Sequence, residues 1–165
     1  SEVLLIRHLR KSDFIDERCE GIRHYLRGIG HAAKIRTIFS GIGLSPAKEI
    51  ETILKSSVNA RVFCFTVWTG NMMANYFREH RDQLRDKDIR LGCFDLTSDI
   101  LIGIREGYVA CTIDSQPFLM GFEAITMLSL YLQHGIIPPT NIKSGPYLID
   151  KENIDDTLRK FGQKR

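Results

Sequence analysis

The chain has 165 residues, 43% of them hydrophobic and 26% charged, the make-up of one globular domain with a proper core. Its 23 Lys and Arg exceed its 20 Asp and Glu only slightly and lie scattered, without the concentrated basic stripe of a nucleic-acid binder. The four cysteines (Cys19, Cys64, Cys93, Cys111) show no CxxC or Cys/His ligand spacing, which predicts buried free thiols and no metal site.

The first apolar run, residues 3–6, reads as a strand, and no signal-peptide pattern stands ahead of it. Next, Ile15, Cys19, Ile22, Leu26 and Ile29 step by three and four along one helical face, with Asp16, Glu17, Arg23 and Arg27 on the other. A second strand covers 34–39. A helix follows with Ser45 as cap, Pro46 at its first position and Ala47, Ile50 and Leu54 facing inward. Residues 61–67 form a nearly continuous apolar stretch, which predicts a strand covered on both faces, as in a parallel sheet. Then come a helix over about 71–84, a strand over 89–94, and a helix over 97–105 capped by Thr97 or Ser98 and closed by Gly107. A strand over 108–113, a helix over 117–133, a linker-like stretch 134–145 and a strand over 146–149 complete the alternation, before a polar helix near Asp155 and Asp156. Strand and helix in regular exchange predict a single α/β domain over 1–165. Its architecture is three-layer α/β/α, around a mostly parallel sheet of about five or six strands.

The helix over 117–133, from Pro117 to Gln133, breaks the amphipathic rule. Phe118, Leu119, Met120, Phe122, Ile125, Met127, Leu128, Leu130, Tyr131 and Leu132 make it apolar over far more than the usual stripe. Glu123, Thr126 and Ser129 interrupt it, and it falls short of the ~20 residues of a membrane helix. It is either a central core helix or one that meets a partner.

Three stretches carry a family resemblance: DERCEGI at 16–22, LGCFDLTSD at 91–99 with IREGYVACTIDSQPF at 104–118, and SGPYLIDKEN at 144–153. They are similar to the "ERxxGF", "VGFD", "ATVDQQPY" and "TGPxLVDKxN" segments of the type I periplasmic binding proteins. The match is closer to those that feed sugar transporters than to the related repressors. The resemblance implies a two-lobed parent, with this chain beginning at the second lobe's first strand and residues 117–134 packing on the N-terminal lobe. Without that lobe the expectation is a homodimer through Pro117–Gln133, with exchange of the helix between protomers as the cheaper route to it.

In open α/β sheets ligands bind at the carboxyl ends of the strands, and charge-assisted hydrogen bonds make Asp and Arg the natural anchors for sugar hydroxyls. Asp95 follows the strand over 89–94 and resembles the family aspartate that accepts sugar hydroxyl protons; its alternative role is to cap the Thr97 helix. Arg18 resembles the family arginine that donates to the sugar; its alternative is a solvated or Glu-paired surface arginine. Trp68, the single tryptophan, stands with Thr69 at a strand end, where it stacks on a pyranose face or belongs to the core. Ser115 and Gln116 occupy the place of a Gln-Gln pair in relatives, as ligand contacts or as a hinge between lobes.

Catalysis is not expected. The five histidines are dispersed, no GxxxxGK[ST] occurs, and the glycines near Gly28 and Gly41 make no GxGxxG after a strand. No cofactor is called for. The leading expectation is sugar binding as part of the solute-binding component of an ABC-type importer, periplasmic or extracellular, with the membrane subunits of that importer as partners. The alternatives are the effector lobe of a lactose-repressor-type regulator, which would be cytoplasmic, and a stand-alone dimerising interaction module. Four free cysteines favour a reducing compartment and hence the regulator. In none of these does this lobe itself contact nucleic acid.

Overall fold

The computed structural model describes residues 2–41, 46–137 and 145–162. Among them β1 (Glu2–His8), α1 (Asp13–Gly28), β2 (Lys34–Ser40), α2 (Ala47–Ser56), β3 (Asn59–Cys64) and α3 (Val67–Glu79) follow in order. The single-turn α4 (Arg81–Leu84), then β4 (Asp88–Phe94), α5 (Ser98–Glu106), β5 (Cys111–Asp114), α6 (Pro117–His134), β6 (Tyr147–Asp150) and α7 (Ile154–Gly162) complete the chain. One six-stranded sheet has the order β2-β1-β3-β4-β5-β6. All its pairings are parallel except that of β6 with β5. The three-layer, mostly parallel architecture read from the alternation is the one observed.

The strand order has a physical consequence. From β1 the chain steps one way to β2 and then the other way, past β1, to β3. Right-handed crossovers therefore place α1 and α2 on opposite faces. Under α1 lies a cluster of Val3, Leu5, Ile15, Cys19 and Phe65. The opposite face holds the larger core, where Leu4, Ile6, Val62 and Leu91 meet Ile50 and Leu54 of α2, Met73 and Phe77 of α3, Ile100 and Ile104 of α5 and Ile154 of α7. Removing one of these large side chains would cost about 2–5 kcal/mol.

Several boundaries differ from the sequence reading, each for a local reason. The strand over 61–67 ends at Cys64. The Thr66 hydroxyl accepts the Thr69 N–H at 3.2 Å and the Thr69 hydroxyl accepts the Thr66 N–H at 3.3 Å, a reciprocal capping box that starts α3 at Val67. Nor is β3 covered on both faces. Ala60, Val62 and Cys64 are buried while Arg61 and Phe63 are half-buried, because only α1 lies over that side of the sheet. The helix over 71–84 is two helices divided at His80, whose ring stacks on Tyr76 at 4.1 Å and closes the first. The strand over 108–113 begins at Cys111, since the N–H groups of Tyr108 and Val109 bond back to the Gly103 carbonyl at the end of α5. Gly107 there adopts φ 85°, the left-handed cap that the sequence suggested, and Thr97, not Ser98, caps the other end by accepting the Ile100 N–H. Pro46 is the cap of α2 and not its first helical residue; Ser45 and residues 138–144 of the linker lie outside the described residues.

Three of the cysteines are buried, but Cys111 is only half-buried on the thinly covered face. Burial pushes the thiols of Cys19, Cys64 and Cys111 above their ordinary range, which makes them poor nucleophiles.

A candidate ligand cleft at the carboxyl ends of the strands

β1 and β3 are neighbours whose outgoing connections lead to opposite faces, the switch point at which open α/β sheets form crevices. The side chains gathered there come from the carboxyl ends of β3, β4 and β5 and the first turns of α1, α3 and α6. A cleft of about 780 Å³ is lined by Val67, Asp95, Leu96, Asp114, Ser115, Gln116, Pro117 and Phe118 among others, within the size range of small-molecule sites.

Asp95 is the centre of this wall. It leaves β4 at φ 66°, a left-handed conformation that Asp tolerates better than most side chains. Three hydrogen bonds hold it to β5 and the residue beyond. Its N–H donates to the Ile113 carbonyl at 2.8 Å, its carbonyl accepts from the Thr112 hydroxyl at 2.7 Å, and its carboxylate accepts from the Ser115 hydroxyl at 2.7 Å. Because Thr97 supplies the cap of α5, Asp95 does not play the capping role. A fixed, half-buried carboxylate next to a hydroxyl can accept hydrogen bonds from a polyhydroxylated ligand.

Arg18 reaches the same strand ends from α1. Its Nη1 donates to the Phe65 carbonyl, just past β3, at 2.8 Å. Its guanidinium carbon lies 4.3 Å from the centroid of the Phe94 ring and 5.1 Å from that of Phe14. Among the described residues Arg18 forms no ion pair, and the neighbouring Asp16 is paired with Arg7. Arg18 stands beside the 780 Å³ cleft and not in its wall, one residue removed from Asp95 through Phe94.

The remaining sequence-predicted residues divide. Ser115 lies in the wall and is bonded to Asp95. Gln116 lies in the wall too, at φ 55°, with its N–H on the Asp114 carboxylate at 2.9 Å and its side-chain amide on the Gly145 carbonyl at 2.7 Å, so it ties the start of α6 to the approach to β6. Trp68 is 66% exposed in the first turn of α3, which removes it from the core. Thr69 is fully buried, with its hydroxyl bonded within the Thr66 cap. Phe14, Phe94 and Asp114 were missed. Phe14 precedes Arg18 by four residues, a spacing that brings helical side chains together. Asp114 ends a strand beside Ser115, and both signals were available in the sequence. Among the described residues no three His, Cys, Asp or Glu side chains are grouped to hold a metal.

Solved structures share this fold. A carbohydrate transporter solute-binding protein from Agrobacterium radiobacter, in complex with D-arabinose, superposes with a TM-score of 0.76 over 96% of this chain and 54% of that one, at 18% identity. The fold is that of one lobe of a type I periplasmic binding protein. A LacI transcriptional regulator from Bacteroides fragilis shares the lobe with a TM-score of 0.75 and 22% identity, over 94% of this chain and 54% of its own. In sequence, a xylose/arabinose-binding protein of Sulfolobus acidocaldarius is 29% identical over 149 residues, 87% of this chain. The lobe spans 36% of that relative's length and about half of the two solved structures. No family model matches the chain.

α6 leaves the lobe with none of its residues buried. The central-core reading of this helix is thereby overturned: Phe118, Phe122, Ile125, Leu128 and Leu132 are 52–73% exposed. No helix among the described residues is long and apolar enough to cross a membrane.

Proposed function

We propose that this chain is the C-terminal ligand-binding lobe of a sugar-binding protein that serves an ABC-type importer, and that it binds a pentose or a similar polyol without transforming it. The observation that carries the reading is the Asp95 carboxylate, fixed at the end of β4 by Ser115, with Arg18 reaching the same strand ends against the Phe94 ring. Acceptor, donor and apolar ring face are the three features that a pyranose requires. The sequence relative that binds xylose and arabinose supports the pentose class.

Leu9, Phe14, Val67, Trp68 and Phe118 form an exposed apolar rim at this end of the sheet, each 44–72% exposed. In the proposed parent an N-terminal lobe closes over that rim, traps the sugar and receives α6. The importer's membrane subunits are then the partners, and the location is periplasmic or extracellular. Titration of D-xylose and L-arabinose into the labelled chain, followed by amide chemical shifts, tests the reading. Shifts centred on Asp95 and Ser115 are expected. Arg18→Ala and Asp95→Asn should each weaken binding by roughly 1.5–3 kcal/mol, the scale of a hydrogen bond to a charged group. Saturable shifts confined to other residues, or none with any pentose, would refute it.

A second reading is favoured by four free cysteines and by the regulator neighbour: the same lobe binding a sugar effector in a cytoplasmic repressor. The coding region upstream separates the two, a signal peptide supporting the importer and a helix-turn-helix the repressor.

A further inference from the structure

Phe14 has no evident work in the fold. It is 55% exposed, while the core side of α1 is made by Ile15 and Cys19. An exposed phenylalanine in the first turn of a helix gains little from burial, so its contacts matter more than its area. Phe14 meets Arg18, four residues on, at 5.1 Å from ring centroid to guanidinium carbon, inside the range of cation–π attraction.

Arg18 is held from three sides. Phe94 presents its ring at 4.3 Å, Phe14 at 5.1 Å, and the Phe65 carbonyl takes Nη1 at 2.8 Å. A guanidinium has five N–H donors in one plane. Fixing one donor on a backbone carbonyl and holding the guanidinium carbon near two aromatic rings limits the directions open to the remaining donors. Phe94 and the Phe65 carbonyl belong to strand ends that the core keeps rigid. Phe14 is the part of this clamp that comes from the helix carrying Arg18 itself.

We infer that Phe14 is a positioning residue, which clamps the Arg18 guanidinium against Phe94 and so fixes the edge that a sugar meets. This rests on the reading of Arg18 as a ligand anchor. It assigns to Phe14 no contact with the sugar.

The test joins a readout that needs no sugar to one that does. In nitrogen-15 spectra of the wild-type chain the Arg18 Nε–H signal should be shifted by the rings and narrowly dispersed. Phe14→Ala should move it toward the random-coil position, and Phe14→Tyr should restore it. In pentose titrations Phe14→Ala should weaken binding about 3- to 10-fold, the range of a partly exposed cation–π contact, with Phe14→Tyr within about twofold of wild type. In an Arg18→Ala background, Phe14→Ala should cause no further loss. Thermal unfolding should be nearly unchanged in all Phe14 variants, which guards against a merely structural effect.

An Arg18 signal indifferent to Phe14→Ala would overturn the clamp. So would an additional loss of affinity in the Arg18→Ala background, because Phe14 would then touch the sugar. If the wild-type chain takes no pentose while the Arg18 signal responds to Phe14, the sugar reading fails and the positioning role fails with it. If wild type binds and Phe14→Ala binds equally well, only the positioning role is lost.

Discussion

Left as a single lobe in water, this chain should associate through α6. Five of that helix's apolar side chains, Phe118, Phe122, Ile125, Leu128 and Leu132, are 72%, 60%, 69%, 52% and 73% exposed. Fully burying such a side chain is worth about 1.5–3 kcal/mol. Ten of them in two copies, each about two-thirds exposed, would gain roughly 10–20 kcal/mol if wholly covered. Association itself costs about 4–15 kcal/mol. A micromolar dissociation constant, about 8 kcal/mol, lies within that difference. Electrostatics offers little resistance, since Glu123 is the one Asp, Glu, Lys or Arg of the helix. Phe122→Glu would remove one large apolar contact and add a carboxylate in each copy, and should raise the dissociation constant at least about 100-fold, or about 2.7 kcal/mol. Sedimentation velocity over a concentration series measures both chains. A wild type that stays monomeric at high micromolar concentration would refute the reasoning. In a two-lobed parent the helix would be covered and the protein monomeric.

Three further outcomes follow from local geometry. A Cβ on Gly103 would lie 2.5 Å from Val109 Cγ2 and 2.7 Å from Tyr108 Cε2, so Gly103→Ala should destabilise the fold by about 1–3 kcal/mol in urea unfolding, and an unmoved midpoint would contradict the tight packing. The Glu2 carboxyl is held below its ordinary range, first by the Ser57 hydroxyl and also by Arg36. Its contribution is therefore full above the unfolded value of about 4.3 and is lost as pH falls through the lower folded value. Glu2→Gln should flatten the acid limb of a stability–pH curve in that window. Finally, Cys19 and Cys64 should resist an aromatic disulfide reagent in the native chain and react fully in denaturant, with Cys111 the first native thiol to be modified. Rapid native reaction of Cys64 would show that the core opens.

The course of the sheet was legible because its strands are short apolar runs separated by helical periodicity; all six were found, with shifts of at most three residues at their ends. Asp95 was legible too, since a carboxylate one residue past a strand end needs no long-range information to place. The end of β3 was not. Val67 and Trp68 favour strands by type, and only the reciprocal bonds of Thr66 and Thr69 turn them into the first turn of a helix. Arg18 was named but its surroundings were hidden, because Phe65 stands 47 residues away along the chain. The alternating burial of β3 was missed for a related reason: periodicity reports how apolar a face is, not whether a helix covers it. The same blindness left the seat of α6 undecided between core and partner.

Asp95 sits at φ 66°, a conformation that costs a residue other than glycine about 1 kcal/mol or more. Glycine would relax the chain there and would forfeit the carboxylate, so the position sets local stability against charge. What keeps the strained turn from springing back is β5 and the residue beyond it, through the Ile113 carbonyl and the Thr112 and Ser115 hydroxyls. The β4–β5 end is thus a loaded joint. A molecule gripping Asp95 would act as a splint across it, and the amide of Asp95 should exchange its hydrogen more slowly with that molecule in place, before any larger motion of the lobe is felt.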